Sequence, residues 1–311
     1  MMEETLINEN IPIDKPEPLP FPFNQRTFCR YQPIEKRIEE ARVLVVDDLL
    51  RDEGDLSELA VREWGKGLKT QLKREREIAA MALDNIQNNV ARLVRRPQIC
   101  ITHYSELSEA EGDTRPDAIV LSGTLRDFDY YNPRHLEKFG EFIRSTQTPV
   151  LGICGGHQLV GMSFGARVVT LDNMEQHERR EGRPFEYQYR FIRITDSDDP
   201  IFKGIQDEET GVWQDYTTEA SILRVWQNHG LQLDRVPEGF RLLATAYLCR
   251  NQMMVKRSGG QLIYTVQFHL EKSFEDYDRR RATRWEHPNE SRDGRIIFEN
   301  FLLESLKARR K

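Results

Sequence analysis

The chain has 311 residues, 31% of them charged and 38% hydrophobic, and its 45 basic and 51 acidic side chains leave a net charge of −6. That length supports one large α/β domain or two small ones around a sizeable core. The charge balance excludes a general affinity for nucleic acid, no apolar stretch approaches the length of a membrane span, and the N-terminus lacks the charged-then-apolar order of a signal peptide.

Residues 1–35 stand apart. Pro12, Pro16, Pro18, Pro20, Pro22 and Pro33 fall among acidic and aromatic residues. Such proline density forbids helix and favours extended chain. We expect a proline-rich arm whose "LPFPF" docks on its own domain or on a partner, followed by a domain over residues 36–311. The first strand is expected at "ARVLVVDD" (41–48), a continuous apolar run of the parallel-sheet type. Next comes a long helix over residues 55–96. Asp55 with Glu58 suggests a capping box. Apolar residues recur at Ala60, Trp64, Leu68 and Leu72, and again at Ile78, Ala82, Ile86, Val90 and Val94, with a phase shift near Lys73 to Glu77. At 35–40 residues such a helix spans about 55 Å. It could project or fold back at Gly65 and Gly67, and it reads equally as a surface helix of the domain or as an inserted platform for a partner or a second copy.

Strands are then expected at "PQICIT" (97–102), "DAIVLSG" (117–123) and "TPVLGIC" (148–154), with a helix at "HLEKFGEFIRS" (135–145). Strands alternating with helices predict a mostly parallel sheet covered by helices on both faces. After residue 165 the pattern turns β-rich, through "ARVVTL", "YRFIRIT", "ILRVWQNHG", "RLLATA", "MMVKRS" and "LIYTVQFHL". "RIIFENFLLESLKAR" (295–309) reads as a closing helix. The basic clusters "DRRRATR" (278–284) and "KARRK" (307–311) read as solvated surface.

The four cysteines, Cys29, Cys100, Cys154 and Cys249, form no CxxC pair. They suggest neither a disulfide framework nor a zinc site, and fit a reducing, cytoplasmic setting. Cys154 has the most specific context. In "VLGICGGHQLVG" (150–161) a short apolar strand turns into a helix, and Gly152-Ile153-Cys154-Gly155-Gly156 has the G-x-nucleophile-x-G form of a nucleophile elbow. The thiol would lie at the carboxyl end of a central strand and at a helix N-terminus, whose dipole favours thiolate. The Gly155 amide is placed to donate to an oxyanion. The same pattern alone also fits a buried core cysteine in a tight turn.

A thiolate needs a proton-handling partner. His269 ends the apolar strand from Leu262 to Phe268, and Glu271 would share its face by strand periodicity. A carboxylate there can hold the imidazole as in a triad. On its own, H-x-E equally fits a surface ion pair or two ligands of an incomplete metal site. His157 and His229 have poorer contexts, with His229 a loop candidate for substrate contact. "LSGT" (121–124) ends a neighbouring strand, where its amides could supply a second oxyanion donor.

Together, "GICGGHQ", "LSGT", "WQNHG…VPEGFRLLATA" and "VQFHLE" resemble, in order and spacing, the class I glutamine amidotransferase family with its Cys-His-Glu triad. The resemblance covers about residues 42–306, apart from 55–96 and 273–293. It implies a flavodoxin-like open sheet, with Cys154 as nucleophile, His269 as general base and acid, and Glu271 as its orienter. It also implies oxyanion donors at Gly155 and at Gly123 or Thr124, and glutamine contacts at Gln158, Asn228, Gly230 and Leu231. No metal or cofactor is implied. The sequence departs from the family at Thr124, where a glycine is common and where a threonine would hinder a peptide flip, and at Leu270, where proline is common. The expected activity is hydrolysis of the glutamine side-chain amide, with ammonia passed to a separate acceptor enzyme. A γ-glutamyl hydrolase or peptidase and an inactive binding module remain alternatives. The segment 273–293 reads as a charged insertion near the site.

Overall fold

The computed structural model describes residues 35–108, 115–178, 180–205, 214–215, 220–272 and 291–309. The expected arm up to residue 34 and "DRRRATR" lie outside them, as do the 273–293 segment up to residue 290 and the last two residues of "KARRK". The first strand, β1 (Ile38–Asp47), pairs in parallel with β2 (Val94–His103) on one side and β3 (Ala118–Leu121) on the other. β3 is followed in the sheet by β4 (Val150–Ile153) and then by β12 (Gln261–Val266), both parallel to it. The order 2-1-3-4-12 is that of a flavodoxin-like sheet.

The β-rich part continues the same sheet instead of forming a second layer. Beyond β12 come β11 (Met253–Ser258), β10 (Arg241–Thr245), β6 (Glu186–Ile194), β8 (Ala220–His229) and β7 (Gln214–Asp215), all antiparallel to their neighbours. The short strands β5 (Val168–Thr170) and β9 (Leu231–Leu233) form a separate antiparallel pair.

Helices cover both faces of the parallel half, because its strands are apolar on both sides. In β1, Val43 and Val45 point to one face and Val46 to the other. The first face receives Leu83, Ile86, Val90 and Leu93 of α2 (Leu68–Leu93) and Ile297, Phe298, Phe301 and Leu302 of α5 (Arg292–Arg309). The second receives Phe139, Phe142 and Ile143 of α3 (Pro133–Ser145) and Leu159 and Val160 of α4 (Gly155–Ser163). Each such side chain contributes about 1.5–3 kcal/mol of burial free energy.

The long segment over 55–96 breaks at the glycines expected to be its weak points, and differs from expectation in its cap and in its buried stripe. It is divided into α1 (Glu58–Trp64) and α2, joined by a 3₁₀ turn over Gly65–Gly67. The break falls at Gly65, whose φ of +44° suits glycine. Asp55 does not cap α1. Ser57 does, accepting from the Ala60 amide, while the buried Asp55 carboxylate accepts from the amides of Arg51 and Asp52. Lastly, α2 is the crossover that carries the chain from β1 to β2, and its buried stripe runs through Ala79, Leu83, Ile86, Val90 and Leu93. That stripe is rotated from the predicted one, so Glu75, Asn85 and Asn89 also turn inward. Pro97 does not end the helix. It lies inside β2, an edge strand, where a missing N–H is tolerated. Among the described residues no helix is long and apolar enough to cross a membrane.

Candidate active site

Cys154 sits between β4 and α4 with φ +51° and ψ −101°, a conformation a non-glycine residue adopts only where its surroundings impose it. Its amide donates to the Val266 carbonyl at the end of β12. The Gly156 amide donates to the Ser122 carbonyl at the end of β3, which ties the turn to both flanking strands. The small neighbours are required by contact: a Cβ on Gly152 would lie 2.8 Å from the Gly156 carbonyl oxygen, and one on Gly155 would lie 2.5 Å from the Thr124 nitrogen. The sulfur is thus held at the carboxyl ends of the central parallel strands, where open α/β sheets place their sites.

His269 and Glu271 meet as expected, with Nδ1 2.7 Å from the carboxylate. They do not meet through strand periodicity, however, because β12 stops at Val266. His269 is fixed instead by an isolated bridge to Trp226 of β8, donating its amide to the Trp226 carbonyl. Asn89 of α2 donates to the Glu271 carbonyl at 2.6 Å, so the crossover helix holds the acidic end in place. Leu270, in the position where the family commonly has proline, packs into the core against Gly294 of α5.

Burial alone would lower the His269 pKa, but the negative charges of Glu271 and Cys154 outweigh it and raise the value from 6.5 to about 10. Burial would likewise raise Glu271, yet the charge of His269 keeps it below the usual carboxylate range. His269 Nε2 is buried and has no hydrogen-bond partner among the described residues. A Cβ placed on Gly123 would touch both His269 Cε1 (3.3 Å) and Cys154 Cβ (3.6 Å), so strand end, imidazole and thiol converge on one point.

A cleft of about 370 Å³ opens beside Cys154, lined among others by Thr124, Gln158, Asn228, Gly230 and Leu231. Thr124 and the four residues predicted to hold substrate therefore lie together, while Gly155 packs behind them against Thr124 and Gly123 against Cys154. His229 does not offer its ring to a ligand. Nδ1 faces the Leu231 carbonyl, and Nε2 faces Gln227 and Glu186, in a buried ring closed by Gln252. His157 is entirely buried, bonds Thr265, and is driven by desolvation, with help from nearby His229, down to about 3.

Sequence reasoning missed the groups that shape the cleft. Arg126 is anchored by Glu75 (2.9 Å) and Gln71 (2.7 Å) of α2 and stacks on Trp64, while Arg183 holds Asp127 (2.9 Å). These two anchors set the course of the loop after β3 that carries Thr124. Gln267 lies inside the "VQFHLE" motif, yet the sequence alone assigns it no role. Among the described residues no cluster of histidine, cysteine and carboxylate side chains is arranged to hold a metal ion.

The profile of the family described as glutamine amidotransferase class-I matches residues 81–284. The chain belongs to that family and is a glutamine amidotransferase. It is 28% identical over 226 residues to a glutamine-hydrolyzing GMP synthase of Ralstonia pickettii, covering 71% of this chain and 34% of that protein. The chain thus spans about a third of the length of that relative. Over 189 residues it is 28% identical to a glutamine-hydrolyzing GMP synthase subunit of Methanothermobacter thermautotrophicus, covering 60% of this chain and 73% of the relative. A crystal structure of a Thermoplasma acidophilum protein described as a GMP synthase subunit superposes with a TM-score of 0.51 at 23% identity, covering 87% of this chain and 96% of that one, and shares the fold.

Proposed function

We propose that the Cys154 thiolate adds to the side-chain carboxamide of glutamine and that the enzyme passes through a γ-glutamyl thioester. The observation that carries this reading is a thiol on a strained strand-to-helix turn, set against an imidazole that a buried carboxylate holds at 2.7 Å. In the addition step the new carbon–sulfur bond forms and the carbonyl oxygen becomes an oxyanion, which accepts from the amides of Gly155 and of Gly123 or Thr124. His269, protonated at neutral pH, gives its proton to the departing ammonia, and Glu271 steadies the ring. The ring then takes a proton from water, which attacks the thioester, and glutamate leaves as the thiolate is restored. Gln158, Asn228, Gly230 and Leu231 hold the substrate.

The ammonia is assigned to a separate acceptor enzyme. Support comes from relatives named as distinct glutamine-hydrolyzing subunits. Docking of that enzyme, or of a second copy, is assigned to the 55–96 segment, where Val61 is exposed on α1. A reactive thiol suits the reducing cytoplasm.

The test is release of ammonia and glutamate from glutamine and from γ-glutamyl peptides, by the full chain and by Cys154→Ala. Cleavage of glutamine that disappears in the variant is the expected result. Faster cleavage of peptides would favour a hydrolase with water as acceptor, and inert wild-type protein would overturn the reading.

A further inference from the structure

We propose that Gln267 is a catalytic residue: its side-chain amide donates to the Cys154 thiolate, and its carbonyl locks Gln158 so that only the Gln158 carbonyl is left to meet the substrate. The proposal rests on Cys154 acting as the nucleophile of the reaction proposed above.

Gln267 directly follows β12 and is fully buried. Its own amide donates to the Gln252 carbonyl at 2.9 Å, which fixes the backbone from which the side chain reaches the site. Its Nε2 lies 3.7 Å from Cys154 Sγ, and its Oε1 accepts from Gln158 Nε2 at 3.0 Å. Gln158 Nε2 also donates to the Leu231 carbonyl at 3.0 Å.

That backbone carbonyl sets the direction of the whole chain of bonds. A carbonyl can only accept, so Gln158 must turn its nitrogen toward Leu231. The second N–H on that nitrogen faces Gln267, which must therefore present oxygen. The Gln267 nitrogen is left facing sulfur. A thiolate only accepts, so a buried N–H donor aimed at it is matched to the ionised form. The same logic leaves Gln158 Oε1 as its one group for a ligand. An acceptor there can take an N–H from a carboxamide, which a carboxylate product does not offer, so glutamine is held and glutamate is released.

Several titratable or charged groups surround the sulfur. His269 and Glu271 follow β12, Cys249 lies in the β10–β11 turn, Arg126 and Asp127 lie in the loop after β3, and Arg183 and His229 line the cleft. Substitution of Gln267 removes none of them, so in a variant that keeps the native fold a change in the titration of Cys154 would trace to the lost amide.

The test is the pH profile of iodoacetamide alkylation at Cys154 in the full chain, resolved by peptide mass spectrometry because Cys100 is exposed and reacts as well. Gln267→Met keeps the length without a donor. Gln267→Glu keeps an acceptor for Gln158 and puts a carboxylate beside sulfur. The alkylation midpoint should rise by about one to two pH units in the first and further in the second. Near-ultraviolet circular dichroism identifies the variants that keep the native fold. A midpoint that stays at the wild-type value in a folded variant, with only the melting temperature lowered, would overturn the proposal and reduce Gln267 to packing. The readout needs no substrate, so failure of the wild type to cleave glutamine would count against the proposed reaction and not against Gln267.

Discussion

Replacing His269 with asparagine should lower glutamine turnover by about a hundredfold to ten-thousandfold, the range expected for loss of a positioned proton carrier. Asparagine keeps a hydrogen-bonding group toward Glu271 but cannot carry the proton that leaves with ammonia. The pH dependence gives the prediction its sign. With the ring raised to about 10 by Glu271 and Cys154, the imidazolium persists across neutral pH and is lost only as pH climbs through that value. The alkaline limb of kcat/KM for wild-type enzyme should therefore fall near pH 10. In Glu271→Gln, where the main raising charge is gone, the limb should move to lower pH. Initial rates of ammonia release between pH 6 and pH 10.5 check both points. A wild-type limb near the ordinary histidine value of 6.5 would mean the ion pair is not formed in the working enzyme.

Gly155→Ala should be the most damaging conservative change in the elbow. Its Cβ would fall 2.2 Å from Thr124 Oγ1 and 2.5 Å from the Thr124 nitrogen. The hydroxyl could swing away, but the nitrogen is backbone and belongs to the loop proposed to donate to the oxyanion. The loop must retreat, and the oxyanion donor it carries shifts away from the one at Gly155. Loss of such a donor costs about a hundredfold to a thousandfold in kcat, and a strained core adds about 1–3 kcal/mol of destabilisation. Pairing Gly155→Ala with Thr124→Gly removes the side-chain clash and leaves the backbone one. The double variant should therefore recover only part of the activity. Full recovery would show that the threonine side chain alone forces the glycine.

The parallel half of the fold was legible because its signal is local. β1, β3, β4 and α3 are apolar runs or stripes with clear period, and each lies within a few residues of its expected place. The bend at Cys154 was legible for the same reason: glycines around a residue between an apolar strand and a helix mark a tight turn, although that pattern alone did not separate a nucleophile from a core cysteine. The phase of α2 was not. Its apolar residues fit two adjacent stripes, and polar contacts from elsewhere decide between them, Glu75 to Arg126 and Asn89 to the Glu271 carbonyl. His269 and Glu271 pair as the sequence suggests, but strand periodicity is not the reason. β12 ends before them, and a bridge to a distant strand does the positioning. Gln267 was invisible for a different reason. Its role depends on a direction of hydrogen bonding set by the Leu231 carbonyl, 36 residues earlier in the chain. The cleft walls, Arg126 and Arg183, come from loops whose course no single-sequence pattern specifies.

The central claim is that Cys154 becomes acylated. Acid-quenching the full-length enzyme during its first turnover with glutamine, then digesting and weighing the peptides, tests it directly. The account predicts one γ-glutamyl group on the peptide carrying Cys154, removable by hydroxylamine and absent from Cys154→Ala. Ammonia released at the wild-type rate while Cys154 stays unmodified, with no hydroxamate formed when hydroxylamine is present, would contradict it.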